Sequence, residues 1–291
     1  MSLSDDIHDS KLAPVFQKVL ERHGLDLNRY KIAFLKRRFN IRMRERGLSD
    51  YVEYAKLLEK DPQEFSELFQ KLCINVTNFF RDSHVYSTFA THVLPVILSQ
   101  VKTFDKIRVW SAGCATGEEP YSLAILFSHA LNDNGRIEVI ASDVNQEAIQ
   151  FAKEGKYPAN ALRELPEELR IKYFRLLHDN KNNTTEYQVI EQVKNLVTFK
   201  VGDMLSNQDK YFDVIFCRNV LIYYAKETQE IIFTKFHKIL KENGHLVIGM
   251  DETMLGKESQ KLFTSIMPRE RIYRKNNLKP KEPGLKNLPK Q

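Results

Sequence analysis

The sequence predicts an α/β protein, with an open and mostly parallel sheet that follows an all-helical region and carries a small antiparallel insertion. Three observations predict it. From about residue 105, short apolar runs bounded by turn residues alternate with helical stretches, the pattern of a parallel sheet covered on both faces. Before about residue 90, apolar residues recur at helical spacing and nothing reads as a strand. The first apolar run, "KIRVWSA", leads straight into the glycine turn "GCATG" and then a helix, the place where such sheets bind ligands.

The N-terminal elements come first. "YKIAFLKRRFNIRMRERG" puts Ile32, Leu35, Phe39 and Met43 at i, i+3, i+7 and i+11, one apolar stripe. Arg38, Arg42 and Arg46 form a separate stripe at four-residue spacing. Gly47 can stop this helix, and Ser49 or Asp50 can cap the next, "YVEYAKLLEK". "PQEFSELFQKLCI" reads as a further helix, and Phe79 and Phe80 read as core.

The strands follow as "KIRVWSA", "RIEVIASD", "NLVTFKVGD", "YFDVIFCRN" and "GHLVIGM", with "LFTSIM" and "RIYRK" flanking a turn at Pro268 as a final hairpin. The stretch from Pro158 to Asn195 breaks the alternation. Its "LPEELRIKYFRLL" reads as helix and its "HDNKNNTTEYQVIEQV" is polar, which suggests an inserted antiparallel subdomain. The expected organisation is therefore a helical domain over 1–90 and a sheet domain over 91–276 with the insertion at about 158–195. A basic tail over 277–291 is expected to be disordered, being rich in proline and asparagine and poor in apolar residues.

Composition excludes several classes. Of the 291 residues, 42% are hydrophobic and 28% charged, ordinary for a globular chain. No apolar run approaches the roughly 20 residues of a membrane span, and the N-terminus lacks a signal-peptide core. Cys73, Cys114 and Cys217 are far apart without CxxC spacing, and the eight histidines show no HxH or HExxH. A disulfide framework and a metal site are not expected, and a reducing cytoplasm is. The net charge of +6 concentrates in "KRRFNIRMRER" and in the tail. The first run is either a solvated surface or a docking face.

The glycine turn narrows the ligand. Gly113 to Gly117 is G-x-x-x-G, neither a dinucleotide G-x-G-x-x-G nor a P-loop. A helix N-terminus attracts anions, yet Glu118 and Glu119 stand there and would repel a pyrophosphate. The same position suits a ligand with hydroxyls or positive charge and no phosphate, as S-adenosylmethionine is. The second strand ends in Asp143, suited to ribose hydroxyls, although an acidic residue there also caps helices. The third ends in Asp203, available to an adenine amino group, and the fourth in Arg218 and Asn219.

The segments "INVTNFFRD", "WSAGCATGEEPYSLA", "ASDVNQEAI" and "FDVIFCRNVLIYY" resemble the chemotaxis receptor glutamate O-methyltransferases, the CheR family, from about Tyr30 to Arg274. The resemblance implies a class I S-adenosylmethionine-dependent methyltransferase with a Rossmann-like sheet, an all-helical N-terminal domain and the antiparallel insertion. It implies cofactor contacts for Asn75, Thr77, Arg81, Glu118, Asp143, Asp203, Met204, Arg218 and Asn219. It places Tyr223 near the transferable methyl and gives Arg81 and Tyr223 the catalytic roles. Tyr224 reads as packing, and Cys114 and Cys217 as small fillers.

The implied reaction is methyl transfer to a receptor glutamate, giving a glutamyl methyl ester and S-adenosylhomocysteine. A glutamate is already ionised at neutral pH, its ordinary pKa being about 4.3, so no general base is required. The implied partner is the cytoplasmic coiled-coil domain of chemoreceptors, met through Arg38, Arg42 and Arg44, with no nucleic acid and with the membrane reached only through the receptor. "GMDETM", Gly249 to Met254, departs from the family's "GHSE", so no contact is assigned to that loop. Two alternatives remain: a class I methyltransferase with an RNA or small-molecule acceptor, and a non-catalytic signalling adaptor.

Overall fold

The computed structural model describes residues 12–73, 75–101, 105–132, 136–179 and 184–277. The tail from 278 onward, expected to be disordered, lies outside the described residues. The chain divides into two compact units, Met1–Asn75 with Tyr223–Thr228, and Val76–Ile222 with Gln229–Gln291. The division falls at residue 75 and not near 90. The physical reason is that Phe79, Phe80, Val85, Tyr86 and Phe89 join Val109, Phe127 and Phe216 in one buried cluster.

The first unit holds α1 (Ala13–His23), α2 (Ile32–Glu45), α3 (Tyr51–Lys60) and α4 (Pro62–Leu72). The Asp50 carboxylate caps α3 by accepting from the N–H groups of Val52 and Glu53. Asp61 caps α4 in the same way, with Pro62 at its first turn. Leu35, Phe39 and Met43 of the expected apolar stripe are buried; Ile32 is half-buried.

The arginine stripe does not form one surface. Arg42 is 5% exposed. Its Nε donates to Glu64 Oε1 at 3.0 Å, its Nη2 reaches Glu64 Oε2, and Glu45 and Glu67 complete the shell. Glu64, 0% exposed, also accepts from Tyr54 Oη at 2.7 Å and from Arg46 Nε. Burial pushes the Glu64 carboxyl up, but bonds from Arg42, Tyr54 and Arg46 outweigh it and hold it below its ordinary value. Arg42 is thus removed from the expected docking face: its guanidinium is buried and engaged by three carboxylates of its own unit.

In the second unit, α5 (Ser83–Thr88) continues through a π-helical turn, Phe89–Val93, into α6 (Leu94–Gln100). The sheet strands are β1 (Ile107–Ala112), β2 (Ile137–Asp143), β6 (Val197–Val201), β7 (Phe212–Cys217), β8 (Leu240–Ile248), β9 (Phe263–Met267) and β10 (Ile272–Lys275). They lie in the order β6-β2-β1-β7-β8-β10-β9. The first five are parallel, and β10 runs antiparallel between β8 and β9, as the expected final hairpin. The helices α7 (Glu118–Ala130), α8 (Gln146–Glu154), α10 (Glu191–Lys194), α11 (Lys226–Ile239) and α12 (Lys257–Leu262) connect these strands.

The insertion is the expected small antiparallel sheet. Its strands are β3 (Lys156–Pro158), β4 (Phe174–Asp179) and β5 (Thr184–Val189), ordered β3-β5-β4. The run "LPEELRIKYFRLL", read as helix throughout, changes at its middle: α9 (Glu167–Tyr173) stops and β4 begins. Pairing of Phe174 with Val189 and Leu176 with Tyr187 overrides the local helical preference. Successive strands add on one side from β1 to β2 to β6, and on the other from β7 to β8. The reversal opens a crevice at the carboxyl ends of β1 and β7.

Candidate active site

The crevice floor is the turn after β1. Gly113 and Gly117 have φ of 79° and 95°, and Ala115 between them has 46°, so three of five residues lie in the left-handed region that favours glycine. The N–H groups of Gly113 and Cys114 donate to the Ser142 carbonyl at 2.8 and 3.0 Å. A Cβ on Gly113 would stand 2.6 Å from Val220 Cγ2. The turn is therefore clamped between the ends of β2 and β7.

Two carboxylates shape this turn. Asp143 Oδ2 accepts from Ala115 N at 2.9 Å, and its Oδ1 accepts from Asn145 N at 2.9 Å. Each oxygen retains a second lone pair for a ribose hydroxyl. Glu118, first residue of α7 and 5% exposed, accepts from Thr116 Oγ1 at 2.7 Å. The Thr116 carbonyl accepts from Tyr157 Oη of β3 at 2.7 Å. Burial pushes both carboxyls above their ordinary values, and among the described residues neither has a cationic partner. A buried carboxylate needs one.

The other residues singled out in the sequence separate by position. Asp203 and buried Met204 follow β6, where Gly202 N donates to the Asp143 carbonyl at 2.9 Å. Asn219 follows β7 in the left-handed region, φ 62°. Arg218 points inward: its side chain is 2% exposed, and its Nη2 meets Asp82 Oδ2 at 2.6 Å. Its Nη1 donates to the Arg81 carbonyl at 2.9 Å, and its guanidinium lies over the Tyr86 ring, 5.6 Å from the centroid. Arg218 thereby fixes the turn that carries Arg81. Arg81 Nη1 donates to the Val76 carbonyl at 2.8 Å, and half-buried Thr77 lies in the extended strip between them.

Asn75, Arg38, Arg42, Arg44 and Tyr223 belong to the first unit. There Tyr223 packs on Phe34 with ring centroids 4.9 Å apart, and Phe34 carries Arg38 over its face at 5.6 Å. Tyr224 is buried and stacks on Tyr30 at 4.5 Å, the packing role expected of it. Burial pushes the Cys114 and Cys217 thiols well above their ordinary values, so neither supplies a thiolate.

The sequence places Glu119 beside Glu118 at the helix start without a contact of its own, and it singles out nothing at Glu252. Glu119 accepts from Ser111 Oγ at 2.7 Å and lies 3.9 Å from Arg218 Nη1. Burial raises its carboxyl pKa, opposed chiefly by Arg218 and also by Arg81. Glu252, in the "GMDETM" loop, is buried and accepts from the N–H groups of Leu221 and Ile222 at 2.7 and 3.3 Å. Its only sequence signal is a glutamate just past the short apolar run "LVIGM".

A glycine turn bearing two uncompensated buried carboxylates fits a ligand that is cationic, hydroxyl-bearing and free of phosphate. S-adenosylmethionine has that chemistry. Residues 75–270 match the family described as "CheR methyltransferase, SAM binding domain", and residues 11–73 match "CheR methyltransferase, all-alpha domain". The chain belongs to the CheR methyltransferase family. It is an S-adenosylmethionine-dependent methyltransferase by that membership. The chain is 32% identical to a chemotaxis protein methyltransferase of Borreliella burgdorferi, over 94% of this chain and 97% of that one. The protein of the same name from Salmonella typhimurium is 33% identical over 84% of each, and that of Escherichia coli 32% over 84% and 85%. In this CheR chain no described helix is long and apolar enough to cross a membrane.

Proposed function

We propose that this methyltransferase esterifies glutamate side chains on the cytoplasmic coiled-coil domain of chemoreceptors, working in the cytoplasm and producing glutamyl methyl ester and S-adenosylhomocysteine. The observation that carries the reading is the pinned cation at the crevice. Arg81 is held at its carbonyl by buried Arg218 and at its guanidinium by the Val76 carbonyl, and it adds a small share to the positive charge that opposes the burial-driven rise of the Glu119 carboxyl. A fixed arginine with donors to spare orients a carboxylate acceptor.

When bound, S-adenosylmethionine supplies an electrophilic methyl on a sulfonium. Glu118 answers the cofactor's positive charge, and Asp143 takes its ribose hydroxyls. Arg81 holds the acceptor carboxylate in line, and Tyr223 borders the methyl. The acceptor is ionised at neutral pH, so the residues contribute positioning and no proton transfer. Asn75, Thr77, Asp203, Met204 and Asn219 complete the cofactor contacts. Exposed Arg44 and half-buried Arg38 of α2 steer the acidic coiled coil toward the site.

The test is to incubate the protein with methyl-labelled S-adenosylmethionine and receptor-containing membranes, then to apply mild alkali. Label on the receptor that alkali releases as methanol is the expected result. Cofactor binding with no such label on receptor overturns the assigned acceptor. Arg81→Ala is expected to lose most turnover while remaining folded.

A further inference from the structure

The "GMDETM" loop has no part in the reaction as described, yet it contains a buried carboxylate with an unusual set of partners. Glu252 is 3% exposed. Burial pushes its carboxyl up, and the N–H groups of Gly249, Asn219, Leu221 and Ile222 oppose that. No side chain of basic character is among those partners. Oε1 accepts from Leu221 and Ile222, the first residues of the 3₁₀ turn Leu221–Tyr223 and the preceding loop's exit. Oε2 accepts from Gly249.

The segment it grips is the one that borders the glycine turn. Asn219 stands at φ 62°, a conformation that costs a non-glycine residue free energy unless its surroundings enforce it. The next residue, Val220, faces Gly113 so closely that a Cβ there would lie 2.6 Å from its Cγ2. On the other side, a Cβ on Gly249 would lie 2.6 Å from Asn219 N and 2.8 Å from Glu252 Oε2. Glu252, the Asn219–Ile222 loop and the Gly113 turn are thus stacked without slack.

We propose that Glu252 is a positioning residue of the methyl-transfer site: by gathering the backbone N–H groups of Gly249, Leu221 and Ile222, it holds the loop after β7 against the glycine turn and so sets cofactor affinity. An acceptor-only carboxylate suits this task. An amide in its place presents an NH₂ to N–H groups whichever way it is turned. The inference rests on the family's cofactor and not on the acceptor proposed above, so failure of receptor methylation leaves its test intact.

The test is titration calorimetry with S-adenosylhomocysteine on the full chain, at a temperature well below every variant's Tm. Wild type, Glu252→Gln, Glu252→Asp and Phe236→Leu are compared. Phe236 packs edge-on against Trp110 in the core and serves as a destabilised control. Glu252→Gln is expected to weaken binding at least tenfold. Glu252→Asp, still acceptor-only but one methylene shorter, is expected to recover part of that loss. Phe236→Leu is expected to bind as wild type does despite a lower Tm. Binding by Glu252→Gln within twofold of wild type overturns the proposal. So does an affinity that follows Tm across all variants, because Glu252 would then only stabilise the fold. If Glu252→Gln does not fold, Glu252→Asp decides alone: an affinity equal to wild type overturns the proposal and a several-fold loss against the control supports it.

Discussion

Arg218 Nη2 lies 2.6 Å from Asp82 Oδ2, joining residues 136 apart in the chain. The same guanidinium donates to the Arg81 carbonyl, so one buried cation determines where the Arg81 backbone stands. Asp82 itself is in the left-handed region, φ 58°, and is kept there by this bond. Asp82→Asn retains the shape and loses the charge. The expected cost is about 1.5–3 kcal/mol, the range for a hydrogen bond to a charged group. Turnover on receptor is expected to fall at least tenfold, with a smaller change in S-adenosylhomocysteine affinity. Unchanged initial rates in the methylation assay would show that the Arg81 turn holds its place without the Arg218–Asp82 ion pair.

The Arg42–Glu64 pair predicts a split between stability and docking along one helix. Glu64→Gln leaves Arg42 buried with half its compensation, and breaking such a pair costs about 3–5 kcal/mol, which thermal or urea unfolding measures. The folded-state pKa of Glu64 is depressed. Its contribution is therefore present above the unfolded value and is lost as pH falls through the folded one, so Glu64→Gln is expected to flatten the acid side of the stability profile. Arg44→Glu, on the exposed side of the same helix, is expected to leave Tm unchanged. It is expected to weaken receptor methylation and its dependence on salt. A normal salt dependence in Arg44→Glu would remove this helix from receptor recognition.

These cases show what the sequence alone could reveal. The glycine turn and strand ends were legible because a parallel strand must be apolar on both faces and because left-handed backbone selects glycine. Arg38, Arg42 and Arg46 read as one stripe because spacing reports the face of a helix and not what covers it. The cover comes from Glu64, 22 residues away on another helix. β4 hid inside "LRIKYFRLL" because its strand character comes from pairing with β5. Glu252 was invisible because its partners are main-chain N–H groups, which any sequence supplies. Arg218 was legible as a residue at a strand end, but its inward aim at Asp82 depended on the position of a distant turn.

Glu118 predicts an exchange of stability for affinity. Its carboxylate is buried without a cationic partner among the described residues, and burial raises its pKa. A folded-state pKa above the unfolded one stabilises the cofactor-free fold at low pH, and that contribution is lost as pH rises through the folded value. Glu118→Gln removes the uncompensated charge. Each kcal/mol regained raises Tm by roughly 2–4 °C in a chain of this size, so the cofactor-free variant is expected to melt higher at neutral pH. The ionised form is the one a cationic cofactor needs. S-adenosylmethionine affinity of the wild type is therefore expected to rise with pH across the raised pKa, and that slope is expected to vanish in the variant along with most of the affinity. Calorimetry at several pH values tests both; a variant that binds as tightly as wild type would exclude Glu118 from the cofactor site.

Tyr157 connects the antiparallel sheet to the glycine turn. It lies on β3, its ring is edge-on to Phe79 at 4.8 Å, and its hydroxyl donates to the Thr116 carbonyl at 2.7 Å. Thr116 in turn donates to Glu118, so a single hydroxyl of the insertion sits two hydrogen bonds from the carboxylate proposed to face the cofactor. Tyr157→Phe keeps the ring and its packing and deletes the bond. The expected stability loss is about 1 kcal/mol, the net value of one intramolecular hydrogen bond, with a small extra cost for the carbonyl left unpaired. The consequence for function differs in kind. With Thr116 no longer held from below, the Glu118 carboxylate loses its fixed position, and S-adenosylhomocysteine is expected to bind about three- to tenfold more weakly, which corresponds to roughly 0.7–1.4 kcal/mol. Turnover at saturating cofactor is expected to be nearly unchanged, because Arg81 and the Arg218–Asp82 pair are untouched. That separation of cofactor affinity from turnover distinguishes a loop support from a residue at the reacting atoms. If instead turnover at saturation fell while affinity held, the insertion would act on the acceptor side of the crevice and not through the glycine turn.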